Sequence, residues 1–440
     1  MESSNRGTSR RGFLKGSAAA AVLAALPGSQ AEEKPAENPV RVGVVGVGSR
    51  GTSIVQTLLQ LPGVEIPAVC DIKEEHAKRS QDLVKTARGY EPEVYTKGER
   101  DYENLVVRED LDAVITATPW QWHTPVMVAA MQAGKYGGTE VPAAIAIEEC
   151  WELVWTSEKT GIPCMMLENV CYFKNVLAIL RMVREGVFGE LLHAEAGYQH
   201  DTRFVGIGPD GTLLWRGEHA AVKNGNLYPT HAVGPVAQWY GINRGDRFTR
   251  LVSMSAKARG MKNYAARKLG PDHPLAKRDY AQGDVNTTLI ETENGLTVTL
   301  YYDCSTPRPY DLIFRLQGTN GIYMGNMDKI YLEGVSPQEH EWEPFEPYLG
   351  KYAHPLWTDL EEEAVKNGGH GGCDYITLYE FVKAVRNKTQ TPQDVYDAAT
   401  WSAVVPLTIE SVSGKSGTLS FPDFTNGTWK TRPPIEIHGA

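Results

Sequence analysis

Gly46-Val47-Gly48-Ser49-Arg50-Gly51 has the spacing G-x-G-x-x-G, and Asp71 follows 20 residues after Gly51. Together these residues can cradle a dinucleotide. Gly46 permits a tight turn, Gly48 lets backbone approach a pyrophosphate, and Gly51 lets a helix pack closely on a strand. The helix N-terminus then faces the phosphates. An acidic residue at the distance of Asp71 accepts from a ribose 2′-hydroxyl and repels a 2′-phosphate, so NAD is expected over NADP. Ser49 and Arg50 lie in the turn itself, where Arg50 is expected to meet the pyrophosphate.

Three further polar clusters each follow an apolar, strand-like run. They are Pro119-Trp120-Gln121-Trp122-His123, Gly138-Thr139-Glu140-Val141-Pro142 and Glu168-Asn169-Val170-Cys171-Tyr172. Ligands of doubly wound sheets bind at such strand ends. Later in the chain, Tyr198-Gln199-His200-Asp201 ends an alternating run, and Tyr228-Pro229-Thr230-His231 precedes an apolar helical segment. A histidine at a helix start tends towards a lowered pKa and meets ligands. Arg216 and Tyr310 carry no signal on their own. His370, between Gly368-Gly369 and Gly371-Gly372, suits a cleft or a plain glycine-rich loop equally and stays outside the set.

The elements that must position these groups can be read from periodicity. Val40–Val45, Val64–Cys70 and residues 112–118 and 164–167 are expected strands, and residues 52–61 have helical spacing. The second half gives an amphipathic helix at 175–185. Strands are expected at 190–198, 286–293, 296–303, 311–317 and Gly321–Met324, and a closing helix at 373–386. Asn294-Gly295 is a hairpin turn. The expected fold is α/β: a Rossmann doubly wound parallel sheet, then an α+β domain with a large, mostly antiparallel sheet. The division is a signal peptide at 1–31, a linker at 32–39, an NAD-binding domain at 40–172 and a substrate-binding domain at 173–440.

The N-terminus is an address. Ser9-Arg10-Arg11-Gly12-Phe13-Leu14-Lys15, an apolar run at 18–26 and the small-x-small site Ser29-Gln30-Ala31 read as a twin-arginine signal. The run is far below the roughly 18 residues that span a bilayer, and no cysteine lies near the cleavage site, so no membrane anchor is expected. A periplasmic or extracellular bacterial location follows. The formal charge of −10 becomes −13 once Glu2, Arg6, Arg10, Arg11 and Lys15 are removed, and this acidic balance argues against a nucleic-acid partner. Six cysteines without CxxC spacing give neither a disulfide scaffold nor a zinc site, and no His/Asp/Glu cluster has ligand spacing, so no metal is expected.

A Rossmann half with these loops resembles the Gfo/Idh/MocA oxidoreductase superfamily. Most of its dehydrogenases carry a catalytic Lys after the loop glutamate; here that position is Val141. The set Gly-x-Gly-Ser-Arg-Gly, Trp-Gln-Trp-His, Thr-Glu-Val-Pro, Met-Leu-Glu-Asn-Val-Cys-Tyr and Tyr-Pro-Thr-His is similar to glycoside hydrolase family 109, the NAD-dependent α-N-acetylgalactosaminidases, from about residue 41 to 430. The resemblance implies NAD contacts at Ser49, Arg50, Asp71, Trp120, Gln121, Trp122, His123, Glu140, Val141 and Asn169. It implies substrate contacts at Tyr198, Arg216, Tyr228, Pro229, Thr230, His231 and Tyr310. It also supports Tyr172 as a catalytic base and His231 as its partner at the carbon 3 hydroxyl, with Glu140 holding either the sugar or the nicotinamide.

An exported enzyme with trapped NAD is best served by a redox-neutral cycle. Oxidation at carbon 3 acidifies the hydrogen on carbon 2, elimination breaks the bond to the aglycone, water adds, and the hydride returns. No pair of carboxylates flanking the glycosidic bond is then required. The expected substrate is a terminal N-acetylhexosaminide. Two other readings stand beside this one: a periplasmic sugar oxidoreductase with tightly held cofactor, and a non-catalytic sugar sensor. An exposed face of the second sheet would suit a homo-oligomer.

Overall fold

The computed structural model describes residues 39–435 and 437; the signal at 1–31 and most of the linker lie outside them. The first sheet holds β1 (Val40–Val45), β2 (Val64–Cys70), β3 (Glu93–Tyr95), β4 (Ala113–Thr116), β5 (Tyr136–Thr139) and β6 (Cys164–Met166) in the order β3-β2-β1-β4-β5-β6. Every pairing is parallel. Val42, Val44, Val114 and Ile115 are fully buried, as expected for strands covered on both faces. Strand order reverses between β1 and β4, and the crevice beyond their C-terminal ends is where such sheets take ligands.

The first helix, Ser49–Leu58, starts three residues before the expected 52. The reason is steric. A Cβ on Gly51 would stand 1.9 Å from the Gly46 carbonyl oxygen, so the helix can run straight out of the turn only because residue 51 has no side chain.

The second sheet contains β7 (Leu191–Gln199), β8 (Phe248–Ser255), β9 (Asn286–Thr292), β10 (Thr297–Asp303), β11 (Arg315–Gly318), β12 (Gly321–Met324), β13 (Lys329–Leu332), β14 (Glu343–Pro344) and β15 (Leu419–Ser420). Their order is β14-β13-β12-β11-β7-β10-β9-β8-β15. The sheet is antiparallel except at its centre, where β7 and β10 run parallel and place Tyr198 opposite Tyr302. β11 starts at Arg315, not at the expected 311, because Ile313 and Phe314 have φ of +64° and +39° and cannot continue a ladder.

The helices Cys373–Asn387 and Val395–Ser402 return to the first sheet. A Cβ on Gly138 of β5 would meet the Phe381 ring at 3.1 Å. The Met166 amide donates to the Gln393 carbonyl (3.1 Å), and the Ala143 amide donates to Ser402 Oγ (3.0 Å). The division at 172/173 is thus one of sequence, whereas in packing the described residues form one compact unit. All six cysteines are free and buried. Among the described residues no helix is long and apolar enough to cross a membrane.

Candidate active site

The glycine turn forms the cradle that its spacing anticipates. Gly46 has φ of +80°, and a Cβ there would strike the Thr118 amide nitrogen at 2.7 Å. Around Gly48 there is open space, with His76 the nearest group at 3.7 Å. Arg79 props the turn from below, its Nη2 donating to the Val47 carbonyl (3.1 Å) and to Thr52 Oγ1 (2.9 Å). Beside the turn, a cavity of about 210 Å³ is lined by Gly46, Asp71, Ile72, Tyr102, Thr118 and Trp122. Asp71 stands at the end of β2, its Oδ1 accepting from the Lys73 amide (2.9 Å) and facing His76 Nδ1 at 3.4 Å. A backbone cradle, an apolar slot and a carboxylate at its rim are the parts an NAD adenosine and pyrophosphate need.

Arg50 stands in the turn, and its side chain is held by two carboxylates. Its Nε donates to Glu140 Oε1 (2.6 Å), and its two terminal nitrogens grip Asp374 (2.6 and 3.0 Å). The two carboxylates are largely buried and hold the guanidinium pKa well above its ordinary value against the cost of desolvation. A fork held on three hydrogen bonds by two carboxylates is fixed in orientation. Asn169 joins the same network, its Nδ2 donating to Asp374 Oδ1 (2.7 Å), while its own Oδ1 is buried without a partner among the described residues.

His123 has no free ring nitrogen to offer. Its Nδ1 lies 2.7 Å from the Pro142 carbonyl and its Nε2 2.9 Å from the Thr118 carbonyl. It staples the loops after β4 and β5 together, and burial pushes its pKa down. Val141 is buried beside it.

Trp120 links this half to the rings of the second. It stacks on Tyr228 with centroids 5.8 Å apart and meets the edge of Trp215 at 4.9 Å. The Arg216 guanidinium packs over Tyr228, Trp215 and Trp120 at 4.8, 5.0 and 5.2 Å, a cation–π position it can hold because its planar charge is weakly hydrated. Tyr198, Tyr228 and His231 form a triangle of rings with centroids 4.9–5.1 Å apart. Tyr310, half-exposed, closes one side against Tyr198 and His200. Pro229 and Thr230 form the corner that begins the helix Thr230–Tyr240.

At the floor of this triangle, His231 Nδ1 lies 2.5 Å from Glu168 Oε1. Glu168 is fully buried; its Oε1 also accepts from the Val170 amide (3.1 Å), and its Oε2 has no partner among the described residues. The helix bearing His231 can approach this loop because residue 234 is glycine: a Cβ there would meet Cys171 Sγ at 3.0 Å and Glu168 Cγ at 3.1 Å. A buried carboxylate on Nδ1 fixes the tautomer and leaves the lone pair on Nε2, so that nitrogen can accept a proton.

Tyr172 stands outside the ring triangle. Its side chain is fully buried and its hydroxyl has no partner among the described residues. Burial pushes the hydroxyl pKa well up, and Glu380, Cys171 and Asp397 push the same way.

The fold agrees with the comparisons with known proteins. Residues 172–431 match the model for the C-terminal domain of glycosyl hydrolase 109. The chain belongs to glycoside hydrolase family 109. Residues 40–167 match the NAD-binding Rossmann fold of the oxidoreductase family named for GFO, IDH and MocA, and residues 7–27 match the twin-arginine signal, so this family 109 member uses NAD and is exported to the periplasm or beyond. It is 44% identical to a glycosyl hydrolase family 109 protein of Shewanella pealeana, covering 98% of this chain and 99% of that one. It is 43% identical to an α-N-acetylgalactosaminidase of Tannerella forsythia, covering 97% and 98%. Among solved structures, levoglucosan dehydrogenase with NADH and levoglucosan aligns at a TM-score of 0.68 and 19% identity, over 88% of this chain and all of that one. An NAD-binding oxidoreductase from Klebsiella pneumoniae aligns at 0.69 and 15% over the same shares. These last two share the fold.

Several residues of the site carried no signal of their own in the sequence. Glu168 lies inside a quoted motif, but its partner His231 is 63 residues away. Asp374 opens a helix that reads as ordinary closing structure. Trp215 and His219 pack on Trp120 from the helix Trp215–Val222, and burial beside Lys223 lowers the His219 pKa to about 4.

Proposed function

We propose that this family 109 enzyme hydrolyses terminal α-N-acetylgalactosaminides by a redox-neutral elimination, with His231, Tyr172 and Glu140 as its working residues. The carrying observation is the Glu168–His231 pair at 2.5 Å, set beneath the Tyr198–Tyr228 rings and linked through Trp120 to the dinucleotide turn. The relative from Tannerella forsythia bears the same activity in its name.

NAD supplies a hydride acceptor, and later a donor, at carbon 3 of the sugar. The chain's part is proton movement and alignment. His231 Nε2 takes the proton of the carbon 3 hydroxyl, and Glu168 steadies the imidazolium that forms. Once carbon 3 is a ketone, the hydrogen on carbon 2 is acidic; Tyr172 removes it as the phenolate, having first given up its own proton against the effect of burial. An unpaired, buried hydroxyl costs stability, and proton transfer at carbon 2 is the role we assign to this one. The bond from carbon 1 to the aglycone oxygen then breaks, the oxygen leaving with a proton; water adds across the carbon 1–carbon 2 double bond, its hydroxyl to carbon 1 and a proton to carbon 2, and the imidazolium of His231 returns its proton to the carbon 3 oxygen as the hydride comes back. Glu140 holds Arg50 and faces the nicotinamide side. The rings of Tyr198, Tyr228 and Tyr310 take the apolar face of the sugar, and Arg216 orients its polar edge.

Protein purified without added NAD should release 4-nitrophenol from its α-N-acetylgalactosaminide through many turnovers. Accumulation of NADH with no aglycone released would identify an oxidoreductase instead. On the second sheet, Met254 and Leu289 lie exposed on one face. We place a second copy there; a monomer in sedimentation velocity at micromolar concentration would contradict that assignment.

A further inference from the structure

Asp374 is the first-turn acid of the helix Cys373–Asn387, far in sequence from every motif of the dinucleotide site. Its carboxylate, 4% exposed, is saturated by four donors. Oδ1 accepts from Asn169 Nδ2 (2.7 Å) and Arg50 Nη2 (3.0 Å), and Oδ2 accepts from Arg50 Nη1 (2.6 Å) and His370 Nδ1 (2.9 Å). These donors hold its pKa far below the ordinary carboxylate value despite burial. Two of the three donor residues, Arg50 and Asn169, occupy positions matched to NAD contact. The third arrives on a turn that only glycine permits. A Cβ on Gly369 would stand 2.6 Å from Asp374 Oδ2, and Gly372 has φ of +104° with the Ala364 backbone 2.9 Å from its missing Cβ.

We infer that Asp374 is a positioning residue for the dinucleotide: one buried carboxylate fixes Arg50 and Asn169 in a single arrangement and ties the 368–372 turn to them, so that bound NAD is retained. Arg50, itself 30% exposed, cannot swing aside without breaking two charge-assisted bonds to Asp374 and one to Glu140, which leaves those buried carboxylates short of their cation. Asn169 and His370 are locked by the same group. The inference rests on the NAD-dependent reading of the site and adds to it the residue that sets retention.

The test reads NAD, not hydrolysis. Protein is purified without added NAD, its NAD per chain is assayed after heat release, and NAD loss is timed on dilution into an NAD-consuming buffer. Asp374→Asn, which turns donors against Arg50 and Asn169, should release NAD about tenfold faster or more, as expected for lost hydrogen bonds to a charged group. Arg50→Gln should do the same. The double variant should release NAD no more than about twofold faster than the faster single, because both break one network. His370→Gln removes one exposed donor without disturbing the core, and should release NAD about two- to fivefold faster. Wild-type release from His370→Gln or from folded Asp374→Asn would overturn the inference, as would effects that multiply in the double variant. A wild type that keeps NAD yet releases no aglycone would strike the proposed activity and leave this inference standing.

Discussion

His231 and Glu168 come from opposite halves of the chain and meet at 2.5 Å, with the second oxygen of Glu168 buried and unpartnered among the described residues. Removing the charge while keeping the shape isolates what the carboxylate contributes. Glu168→Gln can still meet Nδ1 through its amide, but it no longer stabilises an imidazolium. A loss of about 100-fold or more in kcat/KM is expected, in the range of a lost general-base contribution. Steady-state hydrolysis of the aryl glycoside, with NAD content measured alongside, checks it; full activity would remove the pair from the mechanism.

Tyr172→Phe separates stability from function. The hydroxyl is fully buried and has no partner among the described residues, so its removal should leave the melting temperature unchanged or raise it. The same variant should lose about 100-fold or more in kcat if Tyr172 moves the proton at carbon 2. A stable Phe variant with wild-type kcat would end that assignment.

Much of the dinucleotide half was legible because its signals are local. Gly46, Gly51 and Asp71 work through backbone geometry within a single βαβ unit, and Asp71 ends β2 where the spacing put it. Arg50 was legible only as a cation in the turn. Its partners, Glu140 and Asp374, lie 90 and 324 residues away, and no periodicity encodes such a meeting. The same holds for Glu168 with His231. The parallel β7–β10 pair was also hidden, because alternation reports which face of a strand is buried and not the direction of its neighbour.

Asp71 is the residue to which we assign the choice of dinucleotide. Asp71→Ser removes the acceptor for the ribose hydroxyl and the charge that repels a 2′-phosphate. Affinity for NAD should fall by about tenfold or more, and the preference over NADP should narrow. Competitive binding of the two dinucleotides to the variant checks this; an unchanged preference would place discrimination elsewhere.

The His370–Asp374 bond gives stability a pH dependence. The hydrogen bond to Asp374 raises the His370 pKa against the opposing effect of desolvation; the charge of Asp374 and that of Glu140 add to the rise, while Arg50 opposes it. A raised folded-state pKa means the contribution is fully present below the ordinary histidine value of about 6.5 and is lost as pH climbs through the raised one. The melting temperature of the wild type should therefore exceed that of His370→Gln most at about pH 6, with the gap closing in alkaline buffer. A gap that widens with pH would contradict the sign.

The central claim is elimination at carbon 2, and isotope exchange reads it directly. Hydrolysis of an α-N-acetylgalactosaminide in deuterated water should yield free sugar carrying deuterium at carbon 2, seen as loss of that proton signal by NMR, with the aglycone released in equal amount. Product that retains its hydrogen at carbon 2, formed with full aglycone release, would show a direct displacement and contradict the account.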